Sequence, residues 1–320
     1  MTTIRNVLIG AALVLAPLSS AWAQAFPDKT VTIINPFTAG SVSDLLARVL
    51  AEKLSVKWKQ TVLVDNKPGI AGTIYAAKAA PDGYTLISTS NGHTILSALN
   101  KDLPFDPIKG FSGITQIASV PVVMIVTNEL PPKTLKELIA LAKEKPGTLN
   151  FTSAGLASSN YIAGELFKQT TGIDIVHVPF RGTPEQLTSI MRGDSQLSLA
   201  FLGNAVPFIT SGKVRALAIA SPKRNPALPD VPTFAEAGMP QYQYDSWFGI
   251  MAPAGTPAPI LKKIHDDIAE IIKLPDVQAR WQTIGAVAVV STSPEQFDTV
   301  IRADADRYGK LLRAAGIMPK

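Results

Sequence analysis

Residues 31–54 read V-T-I-I-N-P-F-T-A-G-S-V-S-D-L-L-A-R-V-L-A-E-K-L. Val31 to Ile34 is a β-branched run that suits a buried strand. Leu45, Leu46, Val49, Leu50 and Leu54 recur at helical spacing and predict a helix with one buried face. Between them Thr38 to Ser43 is small and polar, and Gly40 is free to take backbone angles that other residues avoid. Ser41 is placed to cap the helix, with Asp44 three residues on in the capping-box position. Strand, small-residue loop and helix start together outline an anion site. The first N–H groups of a helix lack internal acceptors, and the macrodipole puts partial positive charge there. A capped helix in any α/β protein reads the same way, so recurrence of the pattern carries the weight.

The pattern recurs. Leu149 to Thr152 predicts a strand, and Ser153 to Asn160 a small polar loop. A helix with Ile162, Ala163, Leu166 and Phe167 inward follows, with Ser158 or Ser159 at or near its N-cap. Ile175 to Phe180 is a further strand, Arg181-Gly182 a loop, and Thr183, Pro184 and Gln186 fit the N-cap, N1 and N3 positions of the next helix. Elsewhere, strands are expected at Thr61–Val64, Thr85–Thr89, Leu197–Leu202, Val214–Ala220 and Ala286–Val290. Helices are expected at about 73–79, 134–145, 259–272, 277–284 and 294–315. Thr85–Thr89 runs out into Ser90-Asn91-Gly92-His93, a polar loop at the strand edge where ligands gather in open α/β sheets.

Alternating strands and helices predict mostly parallel sheets. Ile114 to Val126 reads as a crossing into a second lobe and Ser246 to Met251 as the return. The expectation is an α/β protein of two lobes joined by two crossing segments, with a ligand cleft between them. Residues 24–123 plus 248–320 form a discontinuous first lobe, and 124–247 the second.

The 320 residues suffice for two domains, and 46% hydrophobic with 17% charged content describes a packed globular chain. The absence of cysteine excludes disulfides and thiolate chemistry. Net charge is +5, with Lys and Arg scattered singly, which gives no support for nucleic-acid binding. Arg5, the apolar run Val7–Leu15, and Ala21 and Ala23 at small-x-small spacing read as an export leader over residues 1–23, cleaved after Ala23 or alternatively Ala25. The apolar run is too short to span a bilayer comfortably. The mature chain is therefore expected in a periplasm or outside the cell. Neither a P-loop nor G-x-G-x-x-G occurs, and no cofactor or metal is expected.

Helix N-termini in both lobes suit an anion held between them. Arg181 is the one cation in these loops; it either pairs with a carboxylate or braces Asp194, Glu185 or a carbonyl. His93 either donates to a ligand or packs on the rim. His177 reads as a core histidine, and His265, beside Asp266 and Asp267, as a solvated face residue. G-x-S-x-G, S-x-x-K and H-E-x-x-H are absent, and nothing in the sequence pairs a nucleophile with a base, so an exported hydrolase is the weaker reading. A sensor feeding a signalling partner and the effector domain of a regulator are further alternatives.

An ordered set of segments carries a resemblance. It comprises F-P-D-K (26–29), N-P-F-T-A-G (35–40), D-N-K-P-G-I-A-G (65–72), A-P-D-G-Y-T-L (80–86), F-T-S-A-G (151–155), A-G-E-L-F (163–167), H-V-P-F-R-G (177–182), L-P-D-V-P-T (228–233) and W-F-G-I-M-A-P-A-G-T-P (247–257). Together they resemble the tripartite tricarboxylate transporter receptors, the Bordetella uptake gene type, across essentially the whole mature chain. The resemblance implies a periplasmic solute-binding protein of the type II periplasmic-binding fold. It would capture a small mono- or dicarboxylate, aliphatic or aromatic, close on it like a hinge, and deliver it to one large and one small integral-membrane subunit. It implies no enzymatic activity, and a monomer is expected. Carried over, it points to Phe37, Thr38, Ala39, Gly40 and Ser41, opposed by Ser153, Ala154, Ser158 and Ser159, with Asn91, Arg181 and Asn204 at further cleft positions. Relatives commonly carry two glycines where this chain has Gly40-Ser41. The added hydroxyl supplies a donor and narrows backbone approach.

Overall fold

The computed structural model describes residues 26–317 and 319; the leader read over residues 1–23 lies outside the described residues. Two sheets organise the molecule. The first runs β11-β4-β10-β3-β1-β2 and is built from β1 (Val31–Asn35), β2 (Val62–Asn66), β3 (Thr85–Ser90), β4 (Phe111–Ser119), β10 (Trp247–Pro253) and β11 (Val287–Ala288). The second runs β7-β6-β8-β5-β9, from β5 (Val122–Thr127), β6 (Asn150–Ser153), β7 (Val176–Pro179), β8 (Leu197–Phe201) and β9 (Val214–Ile219). In each sheet the strands leading into cleft loops are parallel, β2-β1-β3 and β7-β6-β8. The crossing strands are antiparallel to them: β10 lies between β3 and β4, and β5 between β8 and β9.

The chain passes between lobes at Val120-Pro121 and returns through residues 220–246. The two crossings touch, with the Val120 N–H donating to the Ser246 carbonyl at 2.9 Å. One apolar core runs from Leu46, Leu50 and Leu54 under the first sheet, through Val122 and Met124, to Phe151, Phe167 and Phe234 in the second lobe.

Helix α1 (Val42–Trp58) starts where the apolar spacing puts it, and Ser41 Oγ accepts the Asp44 N–H at 3.3 Å. The capping box is altered. Asp44 does not return to the Ser41 N–H, which donates to the Thr38 carbonyl instead; its carboxylate takes the Gly40 N–H at 3.0 Å. Helix α2 (Ile70–Ala77) begins earlier than its sequence reading, because Gly69, at φ 83°, turns the chain directly into it.

Among the remaining helices, α5 spans Ser159–Thr171, α6 Thr183–Met191, α7 Leu202–Thr210, α8 Ala258–Ile272, α9 Pro275–Thr283 and α10 Pro294–Ala314. Two short helices, α3 (Leu96–Leu99) and α4 (Leu135–Glu144), complete the set among the described residues. The cap of α6 shifts by one residue: Gly182 is the N-cap, and Thr183 is already helical. Gln186 does not return to the cap either. It is buried, receiving a hydrogen bond from Asn160 Nδ2 at 2.8 Å and donating to the Thr152 carbonyl at 3.2 Å. Helix α7 is absent from the sequence reading, which ends a strand at Leu202 and places Asn204 in a loop; Pro207 sits inside the helix.

Candidate functional site

Three helix N-termini meet between the lobes. Helix α1 comes from the first lobe, α5 and α6 from the second. Together with the strand ends they line a narrow cleft whose cavity volume is about 20 Å³. The first-lobe wall is Phe37, Thr38, Ser41, Val42, Ser43 and Ser90; the second-lobe wall is Ala154, Ser158, Ser159, Gly182 and Thr183. Phe201 and Phe248 close the floor from opposite lobes, with ring centroids 5.5 Å apart at 63°. None of these lining residues is charged. Val42 and Ser43 occupy the first two positions of α1 and Ser159 the first of α5, where a backbone N–H has no intrahelical acceptor. Thr38 Oγ1 and Ser159 Oγ, one in each wall, are buried without a hydrogen-bond partner. Buried hydroxyls are normally paired, so the two mark a place for a polar ligand.

The first loop is held rigid from behind. The Asp44 carboxylate accepts from Gly40 N–H at 3.0 Å, Arg48 Nε at 3.1 Å and Asn66 Nδ2 at 2.9 Å. Burial acts to raise its pKa, but these hydrogen bonds outweigh that and hold it below the ordinary value. Across the gap the lobes touch closely at three glycines, two of them against backbone and one against the Thr38 side chain. A Cβ on Gly92 would lie 2.0 Å from the Ala157 carbonyl oxygen, one on Gly182 2.3 Å from Thr38 Oγ1, and one on Gly203 1.7 Å from the Ile284 carbonyl oxygen. The lobes are therefore closed on one another.

Of the expected site residues, Phe37, Thr38, Ser41, Ala154, Ser158 and Ser159 line this space. The others are placed elsewhere. Ala39 and Gly40 are exposed on the rim, and the Gly40 N–H is consumed by Asp44. Ser153 Oγ is buried and bonded to His177 Nε2 at 2.7 Å. Asn91 is fully buried, donating through Nδ2 to the Tyr244 hydroxyl at 3.1 Å and the Asp245 carbonyl at 3.0 Å. Arg181 is exposed and its side chain forms no ion pair among the described residues, so it braces neither Asp194 nor Glu185; only its backbone N–H donates to the Glu185 carboxylate, at 3.3 Å. Asn204 is not in a loop: it lies in the first turn of α7, outside the lining.

His93 is neither a donor to the cleft nor a rim residue. Its ring lies beneath the strand end, 2% exposed, with Nε2–H donating to the Pro107 carbonyl at 2.7 Å and its face set against Phe111. Burial pushes its pKa down to about 4. The unfolded chain therefore binds this proton between pH 6.5 and about 4 while the native state does not, so the residue's contribution to stability falls as pH falls through that window. A His93→Gln variant is expected to lose up to about 1.4 kcal/mol per pH unit of that slope, measured by urea unfolding at pH 4.5 to 7; an unchanged slope would show that His93 titrates normally.

His265 is buried, not solvated, with Nε2–H donating to the Ser291 carbonyl at 2.8 Å. His177 is stacked between Phe151 and Tyr161, and burial, then the nearby Lys168, push its pKa down to about 4. The Ser153–His177 contact is a hydroxyl–imidazole pair that no sequence motif signals. Ser153 has no exposed surface and also bonds the Gly155 carbonyl, so its oxygen is closed to a substrate.

Val42, Ser43, Ser90, Gly182, Thr183, Phe201 and Phe248 line the pocket but escaped the sequence reading of the site. Thr183 in P-F-R-G-T-P was visible as a capping signal; the two phenylalanines look like any strand-end core residue.

Among the described residues no helix is long and apolar enough to cross a membrane. The family model for the tripartite tricarboxylate transporter family receptor matches residues 46–317. The chain is similar to protein BugT of Bordetella pertussis, 31% identical over 316 residues, covering 97% of this chain and 96% of that protein. Its fold is similar to a solved structure of Rhodopseudomonas palustris Rpa4515 with adipate, at TM-score 0.85 and 33% identity, covering 92% of this chain and all of that one. It is also similar to MatC (Rpa3494) from the same organism with bound malate, at TM-score 0.82 and 31% identity, covering 90% of this chain and all of that one. With these matches spanning both sheets and the cleft loops, the chain belongs to the tripartite tricarboxylate transporter family of receptors.

Proposed function

We propose that this protein is a periplasmic solute-binding protein that captures a small organic acid in the interlobe pocket and hands it to the membrane subunits of a tripartite tricarboxylate-type transporter. One observation carries the reading: two unpartnered buried hydroxyls face a space ringed by helix N-termini and free of charged side chains. Each helix start carries roughly half a positive charge. Hydrogen bonds to a carboxylate contribute about 1.5–3 kcal/mol each, so a few reach the −8 kcal/mol or so of micromolar binding. Donors without counter-charge also leave release easy, which delivery requires. The cleft is narrow and lined mainly by small polar side chains and phenylalanines, which suits compact acids. The adipate and malate in the two similar structures are acids of this kind. Periplasmic placement is supported by the leader reading and by the family; the family role argues for delivery rather than turnover.

Thermal unfolding with adipate, L-malate, benzoate, citrate, glucose and choline tests the ligand class. A carboxylate present at a hundredfold excess over Kd is expected to stabilise the protein by about 2.7 kcal/mol. Stabilisation by glucose or choline alone would overturn the assignment. Loss of uptake of the identified acid in a deletion strain tests delivery; unchanged uptake would favour sensing.

A further inference from the structure

We infer that Tyr244 is a positioning residue for the anion pocket, its hydroxyl joining both lobes at the hinge and setting Ser159; this rests on the pocket being the ligand site. Tyr244 belongs to the returning crossing segment and is 7% exposed. Its phenol oxygen accepts from Asn91 Nδ2 at 3.1 Å, in the turn that follows β3 of the first lobe. Its O–H donates to the Ser159 carbonyl, in the first turn of α5 in the second lobe. Asn91 is locked in turn, since Nδ2 also donates to the Asp245 carbonyl at 3.0 Å. One oxygen atom therefore links three separate stretches of chain.

What it holds is a wall of the pocket. Ser159 lines the space, and its Oγ is buried and unpartnered. Its neighbour Ala157 lies against Gly92 so closely that a Cβ there would come within 2.0 Å of the Ala157 carbonyl oxygen. The turn at 91–92 and the loop at 157–159 thus pack backbone to backbone, and the phenol fixes their relative height. Burial holds the phenol pKa well above its ordinary value, so the O–H remains a donor wherever the protein is folded. A preorganised donor binds without first being ordered, which is where a positioning residue gains affinity.

Tyr244→Phe keeps the ring and removes the oxygen. The variant is expected to bind adipate or L-malate about tenfold more weakly by calorimetry. Ser159→Ala is expected to weaken binding in the wild-type background but to have little further effect on Tyr244→Phe. Additive losses, or unchanged affinity in Tyr244→Phe, overturn the inference. A second measurement needs no ligand: hydrogen exchange at residues 159–162 of the free protein is expected to speed up in Tyr244→Phe, and unchanged exchange overturns the clamp. If the wild type binds none of the acids, the functional reading fails on its own, and the exchange experiment still decides the clamp.

Discussion

Gly203→Ala is expected to raise the Kd for the bound acid by about a hundredfold or more while leaving the ligand-free protein as stable as wild type. In the closed molecule the position has no room. A Cβ on Gly203 would lie 1.7 Å from the Ile284 carbonyl oxygen and 2.8 Å from the Gly285 nitrogen. These are backbone atoms of the first lobe, just beyond α9, and cannot swing aside as a side chain would. With the lobes apart the same methyl group meets solvent, and alanine is the better helix former by about 0.8–1.0 kcal/mol. The substitution therefore penalises one conformation and spares or favours the other. A hundredfold loss corresponds to about 2.7 kcal/mol, modest against an overlap of this depth. Calorimetry reports the affinity, and small-angle scattering with and without adipate or L-malate reports the compaction. A variant that binds and compacts like wild type would falsify the claim that this contact belongs to the closed, ligand-holding state.

Ser159→Asp is expected to abolish measurable binding of adipate and L-malate without lowering the melting temperature. Ser159 is the first residue of α5, and its hydroxyl is already unpartnered in the pocket. A carboxylate there would stand among the free N–H groups of α1 and α5 and occupy the position of the ligand. At a helix start the charge gains about 0.3–1 kcal/mol, and up to about 2 kcal/mol when partly buried. The uncharged, isosteric Ser159→Asn separates charge from shape. If the aspartate is the less stable of the two, the pocket lacks the positive potential on which anion capture depends.

The β1-loop-α1 unit was legible because three independent signals agree there: a β-branched run, a capping serine and a helical leucine stripe. Within the small-residue loops the family resemblance pointed to Phe37, Thr38, Ser41, Ala154, Ser158 and Ser159, which lie on the pocket, and to Ala39, Gly40 and Ser153, which do not line it. Polarity at a strand end was the misleading signal. Asn91 and His93 follow β3 as a ligand-facing loop would, but the chain curls into a tight 3-10 turn at Asn91–Ile95 and carries both side chains under the sheet. At the next loop Gly182 and Thr183 face the gap, while Arg181, beside them, is exposed. Phe201 and Phe248 were unreadable. Their meeting depends on β8 and β10 facing each other across two lobes, a separation of 47 residues in the chain that no local pattern encodes. Helix α7 was missed because the segment after β8 was read as a loop, whereas the chain passes directly from Phe201 into a helix at Leu202.

The place of β10 in the first sheet has a bearing on the order of assembly. Residues 122–219 supply every strand of the second sheet from one unbroken stretch, so that half can pair its strands as soon as it is made. The other half cannot. Until residues 247–253 arrive, β2-β1-β3 and β4 have nothing to join them. The N-terminal third of the polypeptide must wait, edges unpaired, for a strand produced more than a hundred residues later. Long-range pairing of that kind slows folding, and a stop between residue 219 and that strand would leave one finished half tethered to an open, adhesive edge.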